Sequence, residues 1–334
     1  MTATLPSRGT PLAVLFDAER FPFDEDDLRI LASGSVQLEE IVGHDSVDAV
    51  SAAREADAIF VYSLKVDKTF IEQLNHCKII ARCGVGYDNI DVAAAQARGI
   101  EVTYVPDYGV NDVAEHTIAL LMASARRLAA CDRAVQAGNW PSYLELGPMS
   151  RISGSTLGLL GFGRIARQVA SRASALGLSV LAHDSFIDPK EAQQLGVDLL
   201  TLEQVLERSD FVSVHLPLTP QTHHLINNST LGLMRPSAIL INTSRGAIID
   251  QDALLRALDA GNLAGAALDV LEHEPPEKGN SIINRPNVLI TPHSAAYTRE
   301  ALSEVRRTAL IDVIRVLHGE QPLHPIPNQS SKLS

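Results

Sequence analysis

Short apolar runs alternate with helical patterns along almost the whole chain. PLAVLFD (11–17), ADAIFVY (56–62), KIIARC (78–83), IEVTYV (100–105), LGLLGF (157–162), SVLAHD (179–184), FVSVHL (211–216), AILINT (238–243), AGAALDV (264–270) and NVLITP (287–292) are strand candidates, the central ones apolar almost without interruption. A strand with one wet face would alternate apolar and polar residues; continuous runs predict strands covered on both faces, as in parallel sheets. Between them the spacing predicts helices over 90–98, 164–177, 201–208, 250–260 and 298–317, bounded by Gly, Pro, Asp and Asn. Strand, helix and strand repeated in this way predict βαβ units in an α/β protein. One segment breaks the rhythm. From Asn111 to about Ala130 the pattern is a single long helix, with Asp112 and Glu115 spaced as a capping box. A helix of that length between two βα arrays predicts a connector and a domain boundary near Pro106.

Composition narrows the class. With 334 residues, 46% of them hydrophobic, the chain can fill two cores. A net charge of −12, with no basic run to offset it, argues against nucleic acid or an anionic membrane as partner. The opening MTATLPSRGT lacks the apolar core of a signal peptide, and no stretch reaches the ~18 uninterrupted apolar residues of a membrane span, so a cytoplasmic location is expected. Cys77, Cys83 and Cys131 stand at unrelated spacings and read as free thiols, with neither a disulfide framework nor a metal site expected. At the end, Ser334 follows SKL and removes it from the terminal position a peroxisomal signal needs; both ends read as disordered.

The chemistry gathers at strand ends. In GFGRIA, Gly161, Gly163 and Ala166 form G-x-G-x-x-A between an apolar strand and a helical pattern. Gly161 suits a tight turn, Gly163 a close approach of backbone to a pyrophosphate, and Ala166 close packing of helix on strand. Phe162 lies within this turn, and the N–H groups of Arg164 and Ile165 would face the phosphates at the helix N-terminus. Asp184 ends the next strand, 23 residues past Gly161, where a carboxylate accepts from ribose hydroxyls and repels a 2′-phosphate; NAD is therefore expected over NADP. Three later strands are followed by Arg245, by Glu274 in LEHEPP, and by His293. Arginine matches a carboxylate bidentately, histidine exchanges a proton near neutrality, and a carboxylate on the imidazole would tune it by fixing its tautomer. Together they suit reduction of a 2-keto acid by a nicotinamide. Within EHEPP, Glu272 is as good a candidate as Glu274 by position alone.

These residues resemble a family, the D-isomer-specific 2-hydroxyacid dehydrogenases, which include phosphoglycerate dehydrogenase and the C-terminal-binding-protein co-repressors. The resemblance runs from about Ala56 to Leu323 through ARCGVGYDNID (81–91), VPDYGVNDVAEHT (105–117), GFGRIA (161–166), HLPLTPQTHHLIN (215–227), INTSRGAIID (241–250), ALDVLEHEPP (267–276) and ITPHSAAY (290–297). It implies two Rossmann-like domains, one flavodoxin-like and one dinucleotide-binding, with doubly wound parallel sheets and a hinged cleft. Residues 1–106 completed by 297–334 would be the substrate domain, and 107–296 the NAD-binding domain, through which two copies form a homodimer. It also implies that Asp269 bonds the nicotinamide amide, and that Thr117, His215, Pro217, Thr222, Thr243 and Ser244 line the cofactor. Ser63 and the backbone of Val85 and Gly86 would join Arg245 in holding a small 2-keto or 2-hydroxy acid. Tyr62 and Leu64 would shape the side-chain pocket, with Arg82 and Lys65 as cations for a phosphorylated substrate. The departures are Val85 where phosphite-oxidising relatives carry lysine, and Ala296–Tyr297 where the co-repressor branch carries tryptophan. The alternative reading is an NAD-sensing scaffold of the co-repressor kind, with vestigial chemistry.

Overall fold

Each interior strand divides its side chains between two helical layers. In a computed structural model that describes residues 9–42 and 47–326, Val14 and Phe16 of one strand enter one core while Ala13 and Leu15 enter the opposite one. Ile59 and Val61 separate from Ala58 and Phe60 in the same way. Strands buried on both faces need no polar alternation, which explains their continuous apolar runs. The readings of the two chain ends fall on residues 1–8 and 327–334, outside the described residues.

The chain divides into two units, 1–108 with 299–334, and 109–298. The first carries β1 (Leu12–Phe16), β2 (Gln37–Ile41), β3 (Ala58–Val61), β4 (Ile79–Arg82) and β5 (Glu101–Thr103). They form a parallel sheet in the order β2-β1-β3-β4-β5, the flavodoxin-like winding. The last long helix, Arg299–Leu317, closes one face of this sheet through Val305, Ala309, Leu310 and Val313.

The second unit carries β6 (Thr156–Leu160), β7 (Ser179–His183), β8 (Asp198–Leu199), β9 (Phe211–Val214), β10 (Ile239–Asn242), β11 (Gly265–Leu268) and β12 (Val288–Ile290). Their order is β12-β11-β10-β9-β6-β7-β8, all parallel. This is the dinucleotide-binding winding extended by one strand, with its switch point between β6 and β9.

The structure corrects two expectations and adds two strands. The long helix of 111–130 is two helices, Val110–Ala125 and Leu128–Gln136, separated at Arg127, whose φ is 50°. The first is anchored in the core by Leu120, Leu121 and Ala125; the second buries nothing, so packing no longer holds the two collinear. No capping box opens it. Gly109, at φ 67°, starts the helix; Asp112 instead accepts the Thr298 hydroxyl and Glu115 pairs with Arg172. The added strands, β2 and β8, are sheet edges whose polar sequences QLEEI and DL carry no buried run. Among the described residues, no helix is long and apolar enough to cross a membrane.

All three cysteines are free. Burial pushes the Cys77 and Cys83 thiols up to about 12, whereas Cys131 is half-buried. Only a thiolate attacks a disulfide reagent readily. Titration with an aromatic disulfide at pH 8 is expected to give one fast thiol per native chain and three after unfolding; three fast thiols in the native protein would contradict this packing.

Candidate active site

The nucleotide end is built on β6 and β7. Gly161 leaves β6 at φ 92°, and a Cβ there would stand 2.7 Å from the His215 carbonyl at the end of β9. Only glycine combines that torsion with that approach. At Gly163 a Cβ would meet no protein atom within 4 Å, so the space over the N-terminus of the helix Arg164–Ala175 is open. A helix N-terminus that faces open space suits an anion, and this one fits a pyrophosphate. Asp184 accepts the Phe162 N–H on one carboxylate oxygen and the Phe186 N–H on the other, both at 2.8 Å. Beside it opens a cavity of about 550 Å³ with apolar walls from Leu199, Leu200 and Leu202.

The structure separates the remaining nucleotide candidates. Phe162 is core: its ring is fully buried under the Arg167 guanidinium, and its N–H is held by Asp184. Arg164 is exposed at the helix start, while Ile165 and Ala166 pack inward. Thr117 is also fully buried, its hydroxyl between the Val113 carbonyl and the Thr243 hydroxyl, so it supports Thr243 from below. His215 lies 2.9 Å from the Ser213 hydroxyl through Nε2, and burial pushes its imidazole down to about 4, leaving it neutral at physiological pH. The Thr222 hydroxyl bonds the Pro217 carbonyl at 2.6 Å and closes the turn carrying both.

β10, β11 and β12 are neighbours, so their carboxyl ends stand side by side. At the end of β10, buried Asn242 folds the chain back: its amide donates to the Arg245 carbonyl and its oxygen accepts the Ser244 N–H and hydroxyl. Arg245 emerges half-buried and donates to the Ser244 carbonyl at 2.8 Å. After β12, His293 takes φ 52° and its N–H donates to the Asp269 carbonyl. Its Nδ1 lies 2.7 Å from Glu274 Oε2, and Glu274 Oε1 accepts the Leu271 N–H at 2.8 Å. Glu272 takes a different partner, His224, at 2.7 Å. A carboxylate at Nδ1 leaves Nε2 as the nitrogen open to proton exchange.

Sequence reasoning missed the support beneath His293. Asp269, 1% exposed, accepts the Thr291 hydroxyl and the N–H groups of Ser294 and Ala295, with His116 Nε2 at 3.5 Å. Burial pushes this carboxyl up, but hydrogen bonds from His116, Thr291 and the two N–H groups outweigh it and the net shift is downward. Both oxygens thus hold the His293 loop. The EHT and ITPH motifs contained His116 and Thr291, but their contact spans 175 residues.

The first unit's candidates lie on loops after β3 and β4. The Ser63 and Leu64 N–H groups donate to buried Asp17, and Asn89 donates to the Leu64 carbonyl, joining these loops. Val85 is exposed and Gly86 half-exposed; Arg82 stacks on Tyr62 and bonds the Cys83 carbonyl, while Lys65 is exposed.

Residues 118–295, just over half the chain, match the family model of the D-isomer specific 2-hydroxyacid dehydrogenase, NAD binding domain. The chain belongs to this family. A D-3-phosphoglycerate dehydrogenase of Archaeoglobus fulgidus is 38% identical over 89% of this chain and 56% of its own length. The chain thus spans little more than half of that relative. A glyoxylate reductase of Thermococcus litoralis is 40% identical over 80% of the chain and 83% of its own. The crystal structure of an Aquifex aeolicus D-lactate dehydrogenase complexed with NAD and lactic acid superposes with a TM-score of 0.81 at 29% identity, covering 92% of this chain and 96% of that one. The 2-hydroxyacid dehydrogenase fold expected from the sequence, two parallel α/β domains with an NAD-binding Rossmann domain, is the fold observed.

Asp184 offers a direct test of nucleotide choice. Asp184→Asn keeps an acceptor for the Phe162 N–H and removes the charge. The preference for NADH over NADPH, measured as a ratio of kcat/KM values, is expected to fall at least about tenfold, the size of one charged hydrogen bond; an unchanged ratio would exclude Asp184 from this role.

Proposed function

We propose that this chain is an NAD-dependent D-2-hydroxyacid dehydrogenase, interconverting a small 2-keto acid and its 2-hydroxy acid. The observation that carries the reading is the 2.7 Å contact of His293 Nδ1 with Glu274, on strand ends adjacent to the Arg245 loop. When bound, NADH supplies a hydride to the carbonyl carbon. Arg245 holds the carboxylate and polarises the carbonyl oxygen. His293 gives its Nε2 proton to that oxygen as it becomes hydroxyl, and takes it back in the reverse direction. Glu274 accepts at Nδ1 throughout and keeps the ring in register. Gly161, Gly163 and the N–H groups of Arg164 and Ile165 serve the pyrophosphate, Asp184 the ribose, and Thr243, Ser244, His215, Pro217 and Thr222 line the nucleotide. Ser63 and the N–H groups of Val85 and Gly86 are assigned to the acid. Oxidation of NADH with a panel of 2-keto acids, glyoxylate and pyruvate among them, tests the proposal: turnover with at least one supports it, and NADH binding without turnover on any would replace it with the scaffold reading. No described feature favours that scaffold.

The partner assigned to the second unit is a second copy of this chain. Leu128–Gln136 and Tyr143–Leu146 bury no residue, and Trp140, Tyr143 and Leu144 are 88%, 79% and 74% exposed. An apolar arm of this kind suits an interface between copies. Sedimentation is expected to give about twice the chain mass of 36.0 kDa, and Trp140→Asp with Leu144→Asp to give monomers; a monomeric wild type would exclude the interface.

A further inference from the structure

We propose that His223, His224 and Glu272 form a binding site for a divalent transition metal, with Zn²⁺ the ion that best suits them. The three ligand atoms lie within 4.8 Å of one another, on two segments separated by 48 residues in the sequence. The cysteine spacing that gave no metal site could not reveal it.

The backbone beneath the cluster is held by hydrogen bonds, and the side chains adjust on it. The His223 and His224 rings stack with centroids 4.0 Å apart and planes 26° from parallel, so two imidazoles face one side of the loop. His224 adopts φ 51°, uncommon for a residue other than glycine, and both of its backbone groups are engaged: its N–H donates to the Ala247 carbonyl and its carbonyl accepts from Asn227. Glu272 is set opposite, with Oε1 at 2.7 Å from His224 Nε2. Ligand atoms around a tetrahedral zinc at ~2.0–2.1 Å are about 3.4 Å apart. Spreading the His224–Glu272 pair by under an ångström and turning the exposed His223 ring inward reach that spacing. Two imidazoles and one carboxylate favour Zn²⁺, Ni²⁺ or Cu²⁺ over Ca²⁺ or Mg²⁺, which take oxygen shells. Three protein ligands on a solvent-facing loop leave the fourth position to water. On binding, the metal takes the place of the hydrogen between His224 Nε2 and Glu272, and the neutral imidazole keeps its proton on Nδ1.

The site is distinct from the proposed catalytic set, since Glu272 and Glu274 take different histidines. It adjoins that set through Leu271–Glu274, the turn against which Gly246 packs.

Equilibrium dialysis of the purified full chain against ZnCl₂ tests the site, with Co²⁺ as a spectroscopic probe. Wild type is expected to bind one Zn²⁺ per chain saturably and to give Co²⁺ the intense visible bands of a four-coordinate site. His223→Ala, on an exposed side chain, and Glu272→Gln should each weaken Zn²⁺ binding about tenfold or more and abolish those bands, while His76→Ala, an exposed histidine elsewhere, should change neither. Circular dichroism establishes that the variants are folded. Absence of saturable binding by wild type, or equal binding by wild type and folded His223→Ala, overturns the proposal.

Discussion

Replacement of His293 by asparagine is expected to lower kcat by about 10²–10⁴-fold, the range a positioned general acid supplies, with NADH affinity preserved. Asparagine is the informative choice. The residue sits at φ 52°, a conformation asparagine tolerates better than most side chains, so the backbone bonds of His293 to Asp269 and Thr291 should survive. What disappears is the nitrogen that exchanges the proton. Glu274→Ala should cost less, because the imidazole remains while its orienting acceptor and the cap on the Leu271 N–H are lost. Since the two act as one device, the double variant should be scarcely slower than His293→Asn alone. Steady-state rates with the best keto acid, and NADH binding by fluorescence, are the measurements. A His293→Asn enzyme within tenfold of wild type would remove histidine from the proposed chemistry.

Gly246→Ala should be nearly as damaging for a reason unrelated to protons. A Cβ at this position would lie 1.9 Å from the Leu271 carbonyl carbon and oxygen and 2.4 Å from the Glu272 nitrogen, all backbone atoms that no rotamer change can move aside. Either the Arg245 loop or the turn leading to Glu274 must shift by more than an ångström. Displacement on that scale costs about 10²-fold in catalytic efficiency, and crowding of this kind costs about 1–3 kcal/mol in stability. Both kcat/KM and the melting temperature should therefore fall. Gly163→Ala is the contrast, because its Cβ meets no protein atom. That variant should melt like wild type and lose NADH affinity, since the added methyl occupies space assigned to the pyrophosphate. If Gly246→Ala melts and turns over like wild type, the close approach is not required.

Much of the architecture was legible because its causes are local. A strand covered on both faces must be apolar along its length, and ten such runs were visible, from LAVLF to VLI. The glycine turn was legible too, since its torsion and its 2.7 Å approach to His215 exclude a side chain. Edge strands β2 and β8 escaped notice because a half-covered strand carries no apolar signature. The break at Arg127 escaped because helical periodicity continues through it, and only the end of burial after Ala125 lets the chain turn.

The site divides along the same line. The sequence alone determined which chemical groups follow the strand ends: a guanidinium after β10, the carboxylates of Asp269, Glu272 and Glu274 after β11 and an imidazole after β12. Periodicity and spacing operate over a few residues, and they say nothing about pairing across the chain. The tertiary structure alone decided that Glu274 meets His293 while Glu272 meets His224. It also decided that Phe162 and Thr117 lie within the core, and that His116, 175 residues from Thr291, helps hold the loop that bears His293. Parallel strands joined through helices bring distant segments to a common edge, so which side chains meet there is set by strand order and register.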